Sequence, residues 1–313
     1  NQGLLPPELN LQAVPYSTVN EAFGRFPVAW LETAFEHLVQ TVPFKQIPEL
    51  VALGTLRCVD GSLFPVINSM LWAEYTSKQQ SLKLHLSFEL NRMIATEFWV
   101  TSANTSERNI LLKMVEAGVT YIADRGYMSF EVCHQILEAQ AHFIFRVKAN
   151  LKYQVQESLP IEIPSEMLSL FEDIKDELIL CDNDPFQPVP FDKAQGKYRL
   201  VSFSVSDETF KILTDRQDLT TYEVIMLYAY RWQIELLFRF LKRSMNGIHL
   251  IKQDKQGVTI QFYALLIVAL LQLRLKQLTA DMNADGALME GFPSAGQNED
   301  SKKIYQNMTS LKQ

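Results

Sequence analysis

The chain has 313 residues, 47% of them hydrophobic and 21% charged, with three cysteines. That composition excludes a disulfide-held mini-domain and a disordered chain, and it suits one large core, or a core plus a smaller lobe. A net charge of −7 excludes a uniformly basic surface, so any contact with phosphates has to come from local clusters of Lys and Arg. Cys58, Cys133 and Cys181 lie far apart, with no Cys-x-x-Cys pair and no His at zinc-ligand spacing, which predicts reduced, buried thiols in a cytosolic protein. No secretion signal is read at the start, and Asn1 in place of Met carries the expectation that the true amino terminus lies upstream.

Val28, Leu31, Phe35 and Leu38 recur at helical spacing and predict an amphipathic helix over 27–40. The pattern then turns to β: a strand over 55–59, its hairpin partner over 63–67 across Gly61-Ser62, and two more strands over 83–90 and 93–101. A helix over 107–117, a short buried strand over 120–123, a helix over 129–140 and a strand over 142–147 follow. A three-stranded antiparallel start followed by strand-helix units describes a mixed α/β sheet flanked by helices.

Beyond Asn150, Pro160, Pro164, Pro185, Pro188 and Pro190 break the chain into short pieces, with β-like runs over 198–205 and 210–213. The segment 148–214 therefore reads as a β-rich lobe inserted into the α/β domain. A Thr-x-x-Glu capping box from Thr220 to Glu223 opens a helix that the pattern carries past Lys242. Residues 257–273 carry no charge, but a membrane span needs about 20 apolar residues and Thr259, Gln261 and Gln272 dilute this one. A buried core helix is the favoured reading. The tail from Ala280, with Gly286, Gly291 and Gly296, is polar and expected to be poorly ordered. The expected division is a helical remnant over 1–50, a first catalytic part over 51–147, the insertion over 148–214, a second catalytic part over 215–279 and a tail over 280–313.

Charge is unevenly spread. Between residues 150 and 210 there are 12 acidic residues and 5 basic ones, whereas between 225 and 256 Arg231, Arg239, Lys242, Arg243, Lys252 and Lys255 face only Glu235 and Asp254. Asp60 and Asp124 each follow an apolar strand and precede a glycine-containing turn, which leaves two carboxylates at strand ends. Either alone is an ordinary turn former; together they make a concentrated negative site that calls for a cation. Tyr228, Arg231, Glu235 and Lys242 follow at steps of three, four and seven, an arc of about 60° on one helix face at roughly 100° per residue. Arg231 and Glu235 as a solvated i,i+4 pair would contribute only about 0.2–0.5 kcal/mol, and that reading leaves the phenol and the second cation in line with them unexplained.

Tyr228-x-x-Arg231-x-x-x-Glu235 with Lys242 seven residues on, Arg231-Trp232 and Ile234-Glu235 inside it, resembles the signature of transposases of the fourth insertion-sequence type, a branch of the DDE superfamily. Val59-Asp60-Gly61-Ser62 resembles that family's first-Asp motif, and Ile122-Ala123-Asp124-Arg125-Gly126-Tyr127 its second. The resemblance spans 60–242 and implies a ribonuclease-H-like fold with a β-rich insertion between the second Asp and the Glu. It implies two Mg²⁺ ions held by Asp60, Asp124 and Glu235, with Asp60 bridging and Mn²⁺ able to substitute. It also implies action on the element's terminal inverted repeats and on target DNA, a homodimer in the synaptic complex, and work beside the nucleoid of a bacterial cytoplasm.

Tyr228, Arg231 and Lys242 would grip phosphates, with Trp232, Arg239 and Arg243 as further DNA contacts and Trp232 a candidate for stacking on a base. No Trp lies between residues 150 and 224, so a base-trapping aromatic stays unassigned. His85, in Lys83-Leu84-His85, resembles a Lys-x-His of the family, and a structural role is favoured for it. Rival readings are a DDE-fold nuclease that does not join strands, a catalytically idle DNA-binding remnant, and a membrane protein anchored by 257–273.

Overall fold

In a computed structural model the described residues are 15–65, 73, 81–186, 198–206, 208–244, 252 and 254–282. The polar tail after 282 lies outside them. Two helices, α1 (Tyr16–Arg25) and α2 (Val28–Thr41), and one turn of helix, α3 (Pro48–Val51), lead into a sheet. Its strands are β1 (Thr55–Pro65), β2 (Ser81–Glu89), β3 (Ile94–Ser102), β4 (Val119–Ala123), β5 (His142–Arg146), β6 (Tyr153–Ser158), β7 (Glu172–Cys181), β8 (Tyr198–Val205) and β9 (Glu208–Thr214). Helix α4 (Glu107–Lys113) precedes β4 and α5 (Phe130–Glu138) follows it; α6 (Thr221–Tyr230), α7 (Trp232–Ser244) and α8 (Lys255–Met282) come after the last strand. All nine strands form one sheet in the order β3-β2-β1-β4-β5-β9-β8-β7-β6. This is a mixed α/β sheet flanked by helices: β1, β4 and β5 run parallel at its centre, and antiparallel strands extend it on both sides.

Two expectations are corrected. The hairpin across Gly61-Ser62 does not form: β1 runs unbroken through both residues because β2 pairs with it over nine positions, Arg57 to Pro65. Ile67, in the expected partner strand, lies outside the described residues. Met93, read as strand, has φ 58° and turns the chain between β2 and β3. In the β-rich segment 148–214, β9 pairs with β5, and β6 to β9 extend the central sheet.

Side-chain alternation assigns the two faces. Leu56, Cys58, Ile122 and Ile144 pack with Ile225, Ile234, Leu241 and Phe262 of α6, α7 and α8. Val59, Tyr121, Ala123 and Phe143 pack on the other face with Ile110 and Leu111 of α4 and Val132 and Ile136 of α5. The uncharged stretch 257–273 lies in α8, which is long and apolar enough to cross a membrane. Val258, Phe262, Leu266 and Leu270 bury one of its faces, and α8 packs on α2 and β3. Val268, Leu271, Leu275 and Leu278 stay exposed, so the core-helix expectation holds for one side of the helix.

The N-terminus of α6 is set by the capping box read from the sequence: Thr220 Oγ1 accepts from the Glu223 backbone and Glu223 returns the contact to the Thr220 backbone. A buried ion pair reinforces it. Arg199 on β8 forms a two-pronged bond to Asp176 on β7, at 2.8 and 2.6 Å, and Thr221 Oγ1 donates to the same carboxylate at 2.7 Å. Arg199 also donates to the Leu219 carbonyl. The widened sheet thus clamps the start of the helix pair that carries Glu235. Removing one partner of a fully buried pair leaves an uncompensated charge, so Asp176→Ala should lower stability by about 3–5 kcal/mol in urea unfolding. A loss below about 1 kcal/mol would show that the pair is not the clamp described.

Candidate active site

Register explains why the two aspartates meet. Cys58 on β1 is level with Ile122 on the parallel β4, the last pair of that ladder. Asp60 stands two residues beyond Cys58 on β1, and Asp124 two beyond Ile122, directly after the end of β4, near enough for its charge to act on Asp60. Neighbouring strands lie about 4.8 Å apart. β4 ends at Ala123, so past that point β1 loses its neighbour and the carboxylates open at the strand ends. Asp60 is thus not itself at a strand terminus, as the sequence suggested, but at the point where the parallel pairing stops.

Glu235 comes from α7, which packs on β1. The single helix expected past Lys242 is broken at Arg231, where the bonds Arg231 N–H to Tyr228 O (3.1 Å) and Ile234 N–H to Arg231 O (3.2 Å) tighten one turn. Arg231 sits in this joint with 4% exposure. Its guanidinium donates to Asp60 Oδ2 at 3.3 Å and to Glu235 Oε1 at 2.8 Å. Tyr228, fully buried, donates its hydroxyl to Asp124 Oδ1 at 3.4 Å. Every one of the three acidic residues is therefore in contact with the Tyr228-Arg231 turn.

Tyr228 and Arg231, the expected phosphate grip, are both buried here and directed to carboxylates. Trp232, the expected base contact, is 5% exposed, with the Arg239 guanidinium 4.5 Å from its ring centre. Lys242, Arg239 and Arg243 are exposed on α7, with Lys242 Nζ 5.4 Å from the Phe64 ring centre.

Electrostatics follow from this packing. Burial raises the pKa of Asp60, Arg231 and the Gly61 N–H lower it, and Glu235 and Asp124 raise it again, to about 6 in all. Burial alone would disfavour the charge on Arg231, but Tyr228, Asp60, Asp124 and Glu235 outweigh it and its pKa lies above the ordinary value. Partial desolvation lowers the pKa of Lys242, and Asp60 opposes that shift. The donor set is all carboxylate oxygen, the chemistry that suits a hard divalent cation, and its three potential negative charges are met by one buried positive charge. Among the described residues no three acidic, His or Cys side chains stand at metal-ligating separation as placed, because Arg231 occupies the space between Asp60 and Glu235.

The opposite face holds residues that the sequence did not single out. Glu107, at the start of α4, pairs with Lys83 at 3.2 Å and packs against two glycines of the Asp motifs. A Cβ on Gly61 would lie 3.2 Å from one Glu107 oxygen, and a Cβ on Gly126 2.9 Å from the other. A side chain at either position would displace the Glu107 carboxylate. The buried Tyr127 hydroxyl has no partner among the described residues. Nothing in the local pattern marks Glu107, because its role comes from a contact across the sheet. His85 bonds Thr101 through Nε2 at 2.9 Å, and burial and Lys83 lower its pKa to about 4. It is a buried strand residue.

The family model for the transposase DDE domain matches residues 52–271, most of the chain, and the chain belongs to that family. A Sinorhizobium fredii protein named as a transposase, y4zB, is 27% identical over 264 residues, covering 83% of this chain and 72% of that protein. A Geobacillus stearothermophilus protein named as the transposase for insertion sequence element IS5377 is 21% identical over 267 residues, covering 85% of this chain and 68% of that protein. A solved synaptic complex of piggyBac transposase with hairpin DNA aligns with 80% of this chain and 61% of its own at TM-score 0.38 and 14% identity, a likeness too distant to inform the fold.

The raised pKa of Asp60 fixes a sign. A carboxyl whose pKa is higher in the folded than in the unfolded chain binds more protons when folded, so stability falls as pH rises from about 4 through about 6. In metal-free buffer, stability relative to Asp60→Asn should therefore decline by on the order of 2 kcal/mol across that window. A pH-independent difference between the two proteins would contradict the burial argument.

Proposed function

We propose that the chain is a transposase that cuts DNA at the ends of a mobile element and transfers the cut strands to a target, with Asp60, Asp124 and Glu235 as its metal-binding carboxylates. The observation that carries this reading is the convergence of Asp60, Asp124 and Glu235 on the Tyr228-Arg231 turn beyond the end of the β1-β4 ladder, inside a chain of the DDE family. The sheet order β3-β2-β1-β4-β5, with carboxylates on β1, after β4 and on a covering helix, supports a ribonuclease-H-like core.

Mg²⁺, or Mn²⁺ in its place, would lower the pKa of an attacking water or 3′ hydroxyl and stabilise the leaving oxygen. The chain's own residues do the rest. Asp60, Asp124 and Glu235 would hold the ions through oxygen donors alone. Arg231 offsets the mutual repulsion of the carboxylates and fixes Glu235 on its side of the site, while Tyr228 fixes Asp124. Both are positioning residues. Lys242, Arg239 and Arg243, exposed along the same helix, are the cations it offers to phosphates, with Lys242 within electrostatic reach of Asp60. The DNA substrates are the element's terminal repeats and the target, and two copies of the chain would bring two ends together.

The test uses labelled DNA carrying the repeats that flank the protein's own gene, with a target plasmid present. Wild type should nick the repeat ends only with Mg²⁺ or Mn²⁺ and join them to the plasmid. Asp60→Ala, Asp124→Ala and Glu235→Ala should each lose nicking by on the order of 10³-fold or more while still binding the ends. Near wild-type cutting by any of the three removes that residue from the site, and nicking without joining makes the protein a nuclease.

A further inference from the structure

We infer that a second cationic surface, a groove at the ends of β4 and β5, holds the sugar-phosphate backbone of a nucleic-acid strand leading away from the carboxylates. The inference rests on the proposed DNA-cutting function and adds the path of its substrate. The groove encloses about 430 Å³. Four cations line it from three separate segments: Arg108 in α4, Arg125 directly after Asp124, and Lys148 and Lys152 in the loop after β5. Phe130 and Leu151 contribute apolar surface between them, and no Asp or Glu lines it.

Three observations point to a polyanion. All four cations are exposed, and none forms an ion pair among the described residues, whereas Arg57, Arg92, Arg146, Arg199 and Arg216 elsewhere are each paired with a carboxylate. The chain carries an excess of acid, with 12 acidic residues between 150 and 210, yet Asp182 and Asp184 on either side of the lining residue Asn183 do not line the groove. Holding four like charges around one space costs energy that an anion would offset, as in other surfaces that track a nucleic-acid backbone. The spread of the cations over three segments, with apolar surface between them, suits a run of phosphates with sugars and bases between, better than one free phosphate.

Position adds to this. β1, β4 and β5 are parallel, so Asp60, Asp124 and the loop after β5 all lie at the same edge of the sheet, where ligands of such sheets bind. The order β1-β4-β5 sets the groove on the far side of Asp124 from α7, which packs on β1. The carboxylates are thereby flanked by Lys242, Arg239 and Arg243 on one side and by the groove on the other. Arg108 Nε donates to the Gly126 carbonyl at 3.2 Å and so links the groove wall to the second Asp motif.

The experiment measures binding of a short fluorescein-labelled duplex of arbitrary sequence, and of its single strand, to the full chain as salt is varied. Lys148→Ala/Lys152→Ala is compared with Arg274→Ala/Lys276→Ala, which removes the same charge from α8. Lys148 and Lys152 are exposed, so their truncation leaves the core intact, and equal thermal midpoints confirm it. The groove variant should bind about tenfold or more weakly at moderate salt, with the log–log salt slope reduced by about two, and the α8 variant should match wild type. A wild-type affinity and slope in the groove variant, beside wild-type nicking of element ends, overturns the groove and leaves the proposed function standing. An equal loss in both variants overturns it too, as an effect of overall charge. Failure of wild type to bind either DNA overturns both readings.

Discussion

Arg231 is a cation buried to 4% exposure between Asp60 and Glu235. A buried charge is tolerated only when paired and hydrogen-bonded, so this guanidinium constrains the chain from two directions. It requires the first Asp to come from the centre of the sheet, and it requires the covering helix to break so that residue 231 can turn inward while Glu235 remains in reach. The α6-α7 joint is that break. Burying Tyr228 one turn earlier extends the same constraint to Asp124. Three carboxylates that would repel one another in an empty site are thereby held close, with the positive charge supplied by the protein itself.

The remaining structure serves this arrangement in layers. Parallel pairing of β1 with β4 brings the two aspartates to the same end of the sheet, Asp60 on β1 and Asp124 directly after β4. On the opposite face, the Glu107 carboxylate, held by Lys83, lies against Gly61 in β1 and Gly126 in the turn after Asp124. At the far side of the sheet the Asp176-Arg199 pair and the Thr220 capping box fix where α6 starts. The segment 148–214, read as an inserted lobe, thus has a mechanical part: it widens the sheet and anchors the helix pair that bears the third carboxylate.

Local signals carried much of this. The strand-helix alternation, the capping box, the helix over Val28–Thr41 and the three acidic motifs were visible because each depends on neighbours in sequence. What escaped depends on distant partners. Gly61-Ser62 has the composition of a turn, and only the long pairing with β2 keeps it in a strand. The break at Arg231 has no Gly or Pro to announce it, since the cause is an ionic contact with a residue 171 positions away. β7, with the sequence EDIKDELILC, is not among the β-like runs expected in the segment, and its strand character comes from pairing on both sides. Trp232 was read from its place beside Arg231, but helix phase turns it into the core under Arg239.

The account stands on the three carboxylates forming one cation site in which Arg231 is the protein's own counter-charge. Mn²⁺ binding to the DNA-free chain, followed by its paramagnetic resonance signal, reads that site without reference to any reaction. The account predicts saturable binding by wild type that weakens about tenfold or more in each of Asp60→Asn, Asp124→Asn and Glu235→Gln, as expected when one ligand of a shared site is lost. Binding of wild-type strength in all three variants would contradict it, because the carboxylates would then be neighbours only through Arg231 and not ligands of a common ion.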